Sequence, residues 1–494
     1  MMSKTHLFFM PEKRFLNFIN GEFTESKSGQ FFPNINPANK EEVLGYFPKS
    51  DARDVSLAVK AAKEALSSWK NTPSPKRGEF LYKIVRLIEN RKEEIADVIV
   101  KEMGKTKKGA LGDVQSGINM ALYMAGEGRR LYGKTTFSES DRKWALTRKE
   151  PVGICGLITP WNYPMANISW KTFPALICGN TVILKPAEDT PQTAQIFAEI
   201  IKESGLPKGV FNLVQGLGEE AGEALVLNPD VNLISFTGST EIGKRINKLC
   251  ADKLIKVSLE MGGKNGVLVL KDADIDKAVE SVALAAFTMA GQRCSATTRV
   301  IIEKDIYDIF LEKLIKRAKE LKIGSGDKED TDICPVINQK QLDRISNYVE
   351  LGKREGAKLI LGGEALNEGI YSKGFYLPST IFTDVSSGMK IWREEIFGPV
   401  LCVVKCDSFK EGIELLNDAD YALTSSIYTK NIDLALEGLE KVESGVCYIN
   451  SPTFGSEVHL PFGGFKKSGS GYFEAGGAIE VFTRQKTIYI NYQK

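Results

Sequence analysis

The sequence predicts an α/β protein built on parallel, helix-covered sheets, with a small β ribbon outside them. Three observations carry this. Short apolar runs rich in β-branched residues alternate with helical stretches from about residue 150. A second series of the same kind begins near residue 260. Two aromatic-bearing stretches, 129–153 and the tail "TRQKTIYINYQK", belong to neither series.

The elements follow in order. "DARDVSLAVKAAKEALSSWK" (51–70) puts Val55, Val59, Ala62, Leu66 and Trp69 on one helical stripe, with acids near its start. Amphipathic helix continues to about residue 127. Then "VGICGLITP" (152–160), "NTVILKP" (180–186), "GVFNLVQG" (209–216) and "NLISFTGS" (232–239) read as strands. Helices are expected between them near 164–178, 190–204 and 219–227. Strands alternating with helices at this spacing imply a parallel sheet. The second series comprises "NGVLVL" (265–270), a helix over 274–290, "TRVIIE" (298–303), helices near 305–322 and 338–355, a strand over 397–406 and a helix near 409–417. The two leftover stretches read as exposed strands that complete a neighbour's sheet, which predicts a homo-oligomer, a dimer or tetramer.

Composition bounds the rest. At 494 residues, 43% of them hydrophobic, the chain has apolar matter for more than one core. The net charge of +2 gives no field for nucleic acid or an anionic membrane, so neither partner is expected. "MMSKTHLFFMPEKRF" has an apolar run too short for a signal peptide, and no stretch reaches the ~20 apolar residues of a membrane helix. A cytoplasmic protein is expected. Most of the eight cysteines sit inside apolar runs, and two histidines, His6 and His459, are too few for a structural zinc, so no metal site is expected.

Sheets of this kind bind ligands beyond the carboxyl ends of their strands. Those ends are "TPWNYP", "LKPAED", "VQGLGEEAG" and "FTGSTEIG". "GLGEEAG" is not the dinucleotide fingerprint, because its third glycine comes one residue late. "GSTEIG" (238–243) offers small residues and a hydroxyl where a helix begins, which suits a pyrophosphate. Taken singly these are turns; four ligand-type loops in consecutive units favour a nucleotide site. "SLEMGGKNG" (258–266) sets Glu260 at a strand end before two glycines. "PWNYP" (160–164) holds Asn162 between stiffening prolines, and "GQRCS" (291–295) presents Cys294. "EEIFGPV" (394–400) and "PFGGFKKSG" (461–469) complete the set.

Together these motifs, in this order and at this spacing, resemble the aldehyde dehydrogenase family from about residue 15 to 490. The resemblance implies a Rossmann-type NAD(P)-binding domain (1–128 and 150–258), an α/β catalytic domain (259–455) and an oligomerisation ribbon (129–149 and 479–494). It implies oxidation of an aldehyde to a carboxylic acid through a thiohemiacetal and a thioester on Cys294, with Glu260 as general base and Asn162 as an oxyanion donor beside the Cys294 N–H. Lys185 is assigned to the adenosine ribose, Ser239 to the pyrophosphate, Glu395 to the nicotinamide ribose and Phe397 to the support of the ring. Ile158, Trp161, Gly218, Gly238, Gly243 and Gly262 complete the expected cofactor contacts. Glu188 near the ribose favours NAD, whereas Lys185 would welcome the 2′-phosphate of NADP, so dual use is expected with a lean to NAD. The substrate pocket is expected at Tyr163, Trp170, Glu457, His459 and Phe462.

Two departures matter. Many members carry an acid two residues after the last glycine of "KxSGxG"; here Phe473 stands there and Glu474 follows, so a second relay acid is not expected. Trp170 stands where succinate-semialdehyde enzymes place an arginine, which argues against that substrate. "SEVHLPFGG" with "EAGG" is similar to semialdehyde enzymes of the 2,5-dioxovalerate type. CoA-acylating dehydrogenation, a cysteine hydrolase and a non-catalytic scaffold are the alternatives. Glu260 argues against the first, the missing histidine partner against the second, and retention of all three central residues against the third.

Overall fold

The computed structural model describes residues 13–493. The short apolar N-terminal run and His6 lie outside the described residues. Helix formation begins with a reciprocal cap: Asp51 accepts from the Arg53 N–H, and Asp54 accepts from the Asp51 N–H, at the start of helix Ala52–Asn71. Of the expected stripe, Val55, Val59, Ala62 and Trp69 are buried and Leu66 packs at the rim. Helices Ser74–Asn90, Lys92–Met103 and Lys107–Glu127 follow. Their apolar faces, with Ile84, Ile99 and Val114, share one core with Leu157 and Leu184 from the first sheet and Phe173 from the helix Pro164–Ile177.

That sheet holds β1 (Ile154–Ile158), β2 (Thr181–Lys185), β3 (Phe211–Leu213), β4 (Leu233–Thr237) and β5 (Lys256–Glu260), all parallel, in the order β5-β4-β1-β2-β3. An antiparallel hairpin, Asn17–Ile19 with Glu22–Thr24, extends it beyond β3. Helices α1 (Pro164–Ile177), α2 (Pro191–Ser204) and α3 (Thr240–Ala251) make crossovers. The chain runs from β1 outward to β2 and β3, then returns to place β4 on the other side of β1. The β1–β4 boundary is therefore a topological switch point, where connections diverge and leave a crevice at the carboxyl ends.

The second sheet contains β6 (Asn265–Val269), β7 (Thr297–Glu303) and β8 (Val400–Cys406), parallel at its centre. Thr424–Tyr428 and Val446–Ile449 flank β6, and Thr380–Thr383 then Lys358–Leu361 flank β8. Only the last pairing is antiparallel. Its helices include α4 (Ile275–Phe287), α5 (Tyr307–Glu320) and α6 (Gln339–Arg354).

Three expected spans change, each for a backbone reason. The helix expected over 274–290 ends at Phe287, because Met289 and Ala290 turn left-handed (φ 59° and 52°). The strand expected over 397–406 starts at Val400, after a left-handed Phe397 (φ 61°) and Gly398-Pro399. The stretch 219–227 is a π-type turn, Gly218–Gly222, followed by a short helix, Glu223–Leu227.

The leftover stretches do pair. Lys143–Pro151 runs antiparallel to Thr483–Asn491, with Thr135–Phe137 on its other edge. Phe137, Trp144 and Tyr489 point to solvent from this ribbon. Among the described residues no helix is long and apolar enough to cross a membrane.

Leu268 at the centre of β6 is fully buried. Leu268→Ala leaves a cavity between the sheet and its helices and is expected to cost about 3 kcal/mol; a lowered denaturant midpoint at unchanged activity per folded molecule checks it.

Candidate active site

The carboxyl ends of the two sheets face one cavity of about 530 Å³. Cys294, Glu260 and Asn162 all line it, from three different elements. Asn162 and Trp161 come from the loop after β1, Glu260 is the last residue of β5, and Cys294 sits on the turn between α4 and β7.

The Cys294 turn is built with strain and tight anchoring. Met289, Ala290 and Gly291 are all left-handed (φ 59°, 52° and 65°). At Gly291 a Cβ would also lie 2.2 Å from the Gly398 carbonyl oxygen, so only glycine fits. Gln292 next to it is fully buried. Its amide donates to the Met289 and Pro335 carbonyls at 3.0 and 3.1 Å, and its Oε1 accepts from Ile337 N at 2.9 Å. Asn265 at the start of β6 donates to the Cys294 and Ala296 carbonyls at 2.7 and 2.8 Å. The thiol's height in the cavity is thereby set from both sides of its own residue.

Asn162 donates one amide proton to the Gln292 carbonyl at 3.1 Å. That bond ties the loop after β1 to the cysteine turn and fixes the plane of the amide that carries the second proton.

Glu260 is 2% exposed, and neither carboxyl oxygen has a hydrogen-bond partner. Burial pushes its pKa well above the ordinary carboxylate value; the charge of Glu474 adds to the rise and that of Lys171 opposes it. Cys294 is pushed up to about 12, by burial first and then by the charges of Glu395, Glu260 and Glu474. Glu395 rises to about 7 through burial, opposed by the hydrogen bond from Gly263 N at 3.0 Å. Thiol and acids thus share one pocket in which charge is disfavoured, and among the described residues no histidine lines it.

Sequence reasoning missed Glu474. A second relay acid is not expected from residue counting, yet Glu474 lines the cavity. The bridge Phe462↔Glu474, in the antiparallel pair Pro461–Phe462 with Glu474–Ala475, carries it inward. There it forms a buried ion pair with Lys171, lies 3.5 Å from Thr237 Oγ1, and Lys171 also donates to Ser235 Oγ at 3.0 Å. A lone lysine in the apolar run "MANISWKTFPALI" was the available signal. Gln341 and Arg344 on α6 were missed as well. Both line the cavity; Gln341 Oε1 is buried without a partner, and Arg344 donates to the Glu395 carbonyl at 2.8 Å.

Among the expected cofactor residues, Trp161, Gly238, Ser239, Gly262, Glu395 and Phe397 line the cavity. The Trp161 and Phe397 rings meet edge-on at 5.4 Å. Ile158 and Lys185 end β1 and β2, Gly218 opens the π-type turn, and Gly243 lies in the first turn of α3; these and Glu188 lie outside the cavity. Lys185 Nζ contacts Glu188 at 3.0 Å. Burial raises the Glu188 pKa, but the Lys185 charge and hydrogen bond outweigh it and hold the carboxyl below its ordinary value.

The donor set fits a dinucleotide. Ser239 caps α3 by accepting from Ile242 N at 3.3 Å. Gly238 is forced, since a Cβ there would lie 2.5 Å from the Phe236 ring, and the bare backbone leaves the helix N-terminus approachable by phosphate. The Lys185–Glu188 pair and the Glu395 carboxyl are groups that could partner ribose hydroxyls.

Of the expected substrate residues, Tyr163, Trp170 and Phe462 line the cavity, and Trp170 meets Phe462 edge-on at 5.7 Å. Glu457 and His459 do not. Both are exposed, with His459 Nδ1 3.6 Å from a Glu457 oxygen, because the loop turns them outward while Phe454, Gly455 and Ser456 face in.

The family model described as the aldehyde dehydrogenase family matches residues 23–488. The chain is 42% identical to alpha-ketoglutaric semialdehyde dehydrogenase of Bacillus subtilis, over 97% of this chain and 98% of that one. It is 41% identical to 2,5-dioxopentanoate dehydrogenase of Saccharolobus solfataricus (94% and 96%) and 40% identical to retinaldehyde dehydrogenase 3 of Homo sapiens (96% and 92%). Among solved structures, betaine aldehyde dehydrogenase from Staphylococcus aureus in complex with NAD+ superimposes with TM-score 0.94 at 34% identity, over 96% and 95% of the chains. An NAD+ complex of aldehyde dehydrogenase from Bacillus cereus gives 0.94 at 37%, over 97% of each chain.

Gly291→Ala is expected to displace the cysteine turn and lower turnover roughly 100-fold; steady-state kinetics, with circular dichroism to show an intact fold, checks it.

Proposed function

The chain belongs to the aldehyde dehydrogenase family, and from that premise we propose that it oxidises an anionic semialdehyde, 2,5-dioxopentanoate, to the dicarboxylate with NAD. NAD(P)-dependent aldehyde oxidation is the family's reaction. The names of the relatives from Bacillus and Saccharolobus support the substrate, and so does a cavity wall that carries Ser116, Asn167 and Tyr163 rather than an unbroken apolar tunnel. The observation that carries the mechanism is the convergence of Cys294, Glu260 and Asn162 on one cavity.

In this reading Glu260, ionised and drawn toward the thiol, takes the Cys294 proton, and Sγ bonds to the aldehyde carbon. The carbonyl oxygen becomes an oxyanion held by the second Asn162 amide proton and the Cys294 N–H, each such donor being worth roughly 3–4 kcal/mol of barrier. When bound, NAD supplies the hydride acceptor, and a thioester on Cys294 is what the two-electron oxidation leaves. Glu260 then removes a proton from water; the hydroxide oxygen bonds to the acyl carbon, the C–S bond breaks, and the carboxylate leaves the regenerated thiol. A base with a raised pKa suits both proton transfers. The proton collected on Glu260 is released toward Glu474, the neighbouring acid whose charge it feels. Lys185, Glu188, Ser239 and Glu395 would hold the dinucleotide, and Trp161 with Phe397 would supply an aromatic wall for it.

The ribbon's exposed aromatics and its unpaired edge support a homo-oligomer, for which we take the tetramer. Eight free thiols, one of them the nucleophile, support a reducing compartment such as the cytoplasm.

Cys294→Ala is expected to abolish turnover while NADH binding, followed by fluorescence, persists. Glu260→Gln is expected to give at most one round of reduced cofactor and an acyl-enzyme visible in the intact mass; normal steady-state turnover would contradict the role. Glu474→Gln removes a charge that raises the Glu260 pKa, so Glu260 ionises at lower pH and the acid limb of the kcat profile moves down in pH. A limb that stays in place or moves up would break the coupling.

A further inference from the structure

One cation beside the nucleophile is not used by the mechanism. Arg293 precedes Cys294, and among the described residues it forms no ion pair. Its Nε donates to the Tyr163 hydroxyl at 3.0 Å, its guanidinium lies 4.8 Å from the centre of the Phe454 ring, and a terminal nitrogen donates to Thr288 Oγ1 at 2.9 Å. Tyr163 and Phe454 both line the cavity. The guanidinium therefore stands behind two residues of the substrate wall, its positive charge balanced by no carboxylate.

A second cation nearby is already neutralised. Lys105 Nζ lies 3.7 Å from the centre of the Tyr163 ring. Asp113, which also lines the cavity, has its charge engaged by Lys105 at 3.0 Å and by the Ala166 N–H at 2.7 Å. The Tyr163 oxygen, by accepting from Arg293, leaves its own proton to donate, and the guanidinium polarises that O–H into a stronger donor. A cavity-lining tyrosine hydroxyl backed by a guanidinium that pairs with no carboxylate among the described residues suits an anion.

We propose that Arg293 makes this cavity selective for aldehydes that end in a carboxylate, acting as a positioning residue through the Tyr163 hydroxyl and the Phe454 ring. This rests on the anionic-semialdehyde reading and names the group that enforces it. It also accounts for the tolerance of Trp170 where an arginine clamp would otherwise stand: the cation is supplied from the opposite, cysteine-bearing turn.

The test compares two substrates of equal chain length, 5-oxopentanoate and pentanal, in the wild-type enzyme, Arg293→Met and Arg293→Lys, with NADH binding measured for each protein. In the wild type the ratio of kcat/KM for the anion over the neutral aldehyde is expected to exceed one and to fall as salt is added. Arg293→Met lowers that ratio roughly tenfold, carried by KM of the anion, and Arg293→Lys restores part of it. An equal loss on both aldehydes, or an unchanged ratio in Arg293→Met, overturns the proposal while leaving the substrate reading intact. A wild-type ratio of one or less, insensitive to salt, overturns the substrate reading itself.

Discussion

Two glycines fasten the halves of this site together. At Gly262 a Cβ would lie 2.1 Å from a carboxyl oxygen of Glu395, and at Gly263 it would lie 2.3 Å from the Cys294 carbonyl oxygen. The chain leaving β5 passes between these two residues with no room for a side chain, and Gly263 N holds Glu395 Oε1 at 3.0 Å. Glu260 immediately precedes this step, so its place beside the thiol follows from the same close packing. The first sheet carries Glu260, the second domain carries Cys294 and Glu395, and the joint between them leaves only small tolerances.

Close packing also sets the electrostatics. Glu260, Glu395 and Glu474 line one cavity with Cys294, and the buried Lys171 pairs with Glu474. Unlike a cysteine beside an imidazolium, this thiol sits where burial and neighbouring acids push its pKa up and so disfavour the thiolate. The cost is a weak resting nucleophile; the gain is a thiol protected from adventitious oxidants and alkylators when no substrate is present. Glu260 has no hydrogen-bond partner on either oxygen, an arrangement that leaves it free to change position or exchange protons where a pinned carboxylate could not.

Much of the fold was legible because period and punctuation agree with packing: several of the parallel strands, such as Ile154–Ile158, Thr181–Lys185 and Leu233–Thr237, are short apolar runs that end at or just before a glycine, proline or hydroxyl residue. Two of the three spans that differ do so where backbone is left-handed at a residue other than glycine, as at Met289, Ala290 and Phe397. The central residues were readable from motif order. Glu474 and Lys171 were not, because their meeting depends on an antiparallel pairing near the C-terminus and a lysine buried against it, which counting along the chain cannot deliver. Glu457 and His459 misled for the converse reason: proximity in sequence to the substrate loop does not say which face of a loop turns inward.

The most direct test of this account is the pH dependence of Cys294 alkylation by iodoacetamide in the enzyme without cofactor or aldehyde, read by peptide mass spectrometry. With the thiol pushed up to about 12 by burial and three acids, the rate should still be rising at the highest pH the fold survives. A plateau reached near neutral pH would mean a preformed thiolate, and would contradict the claim that this acid-lined pocket holds the nucleophile protonated.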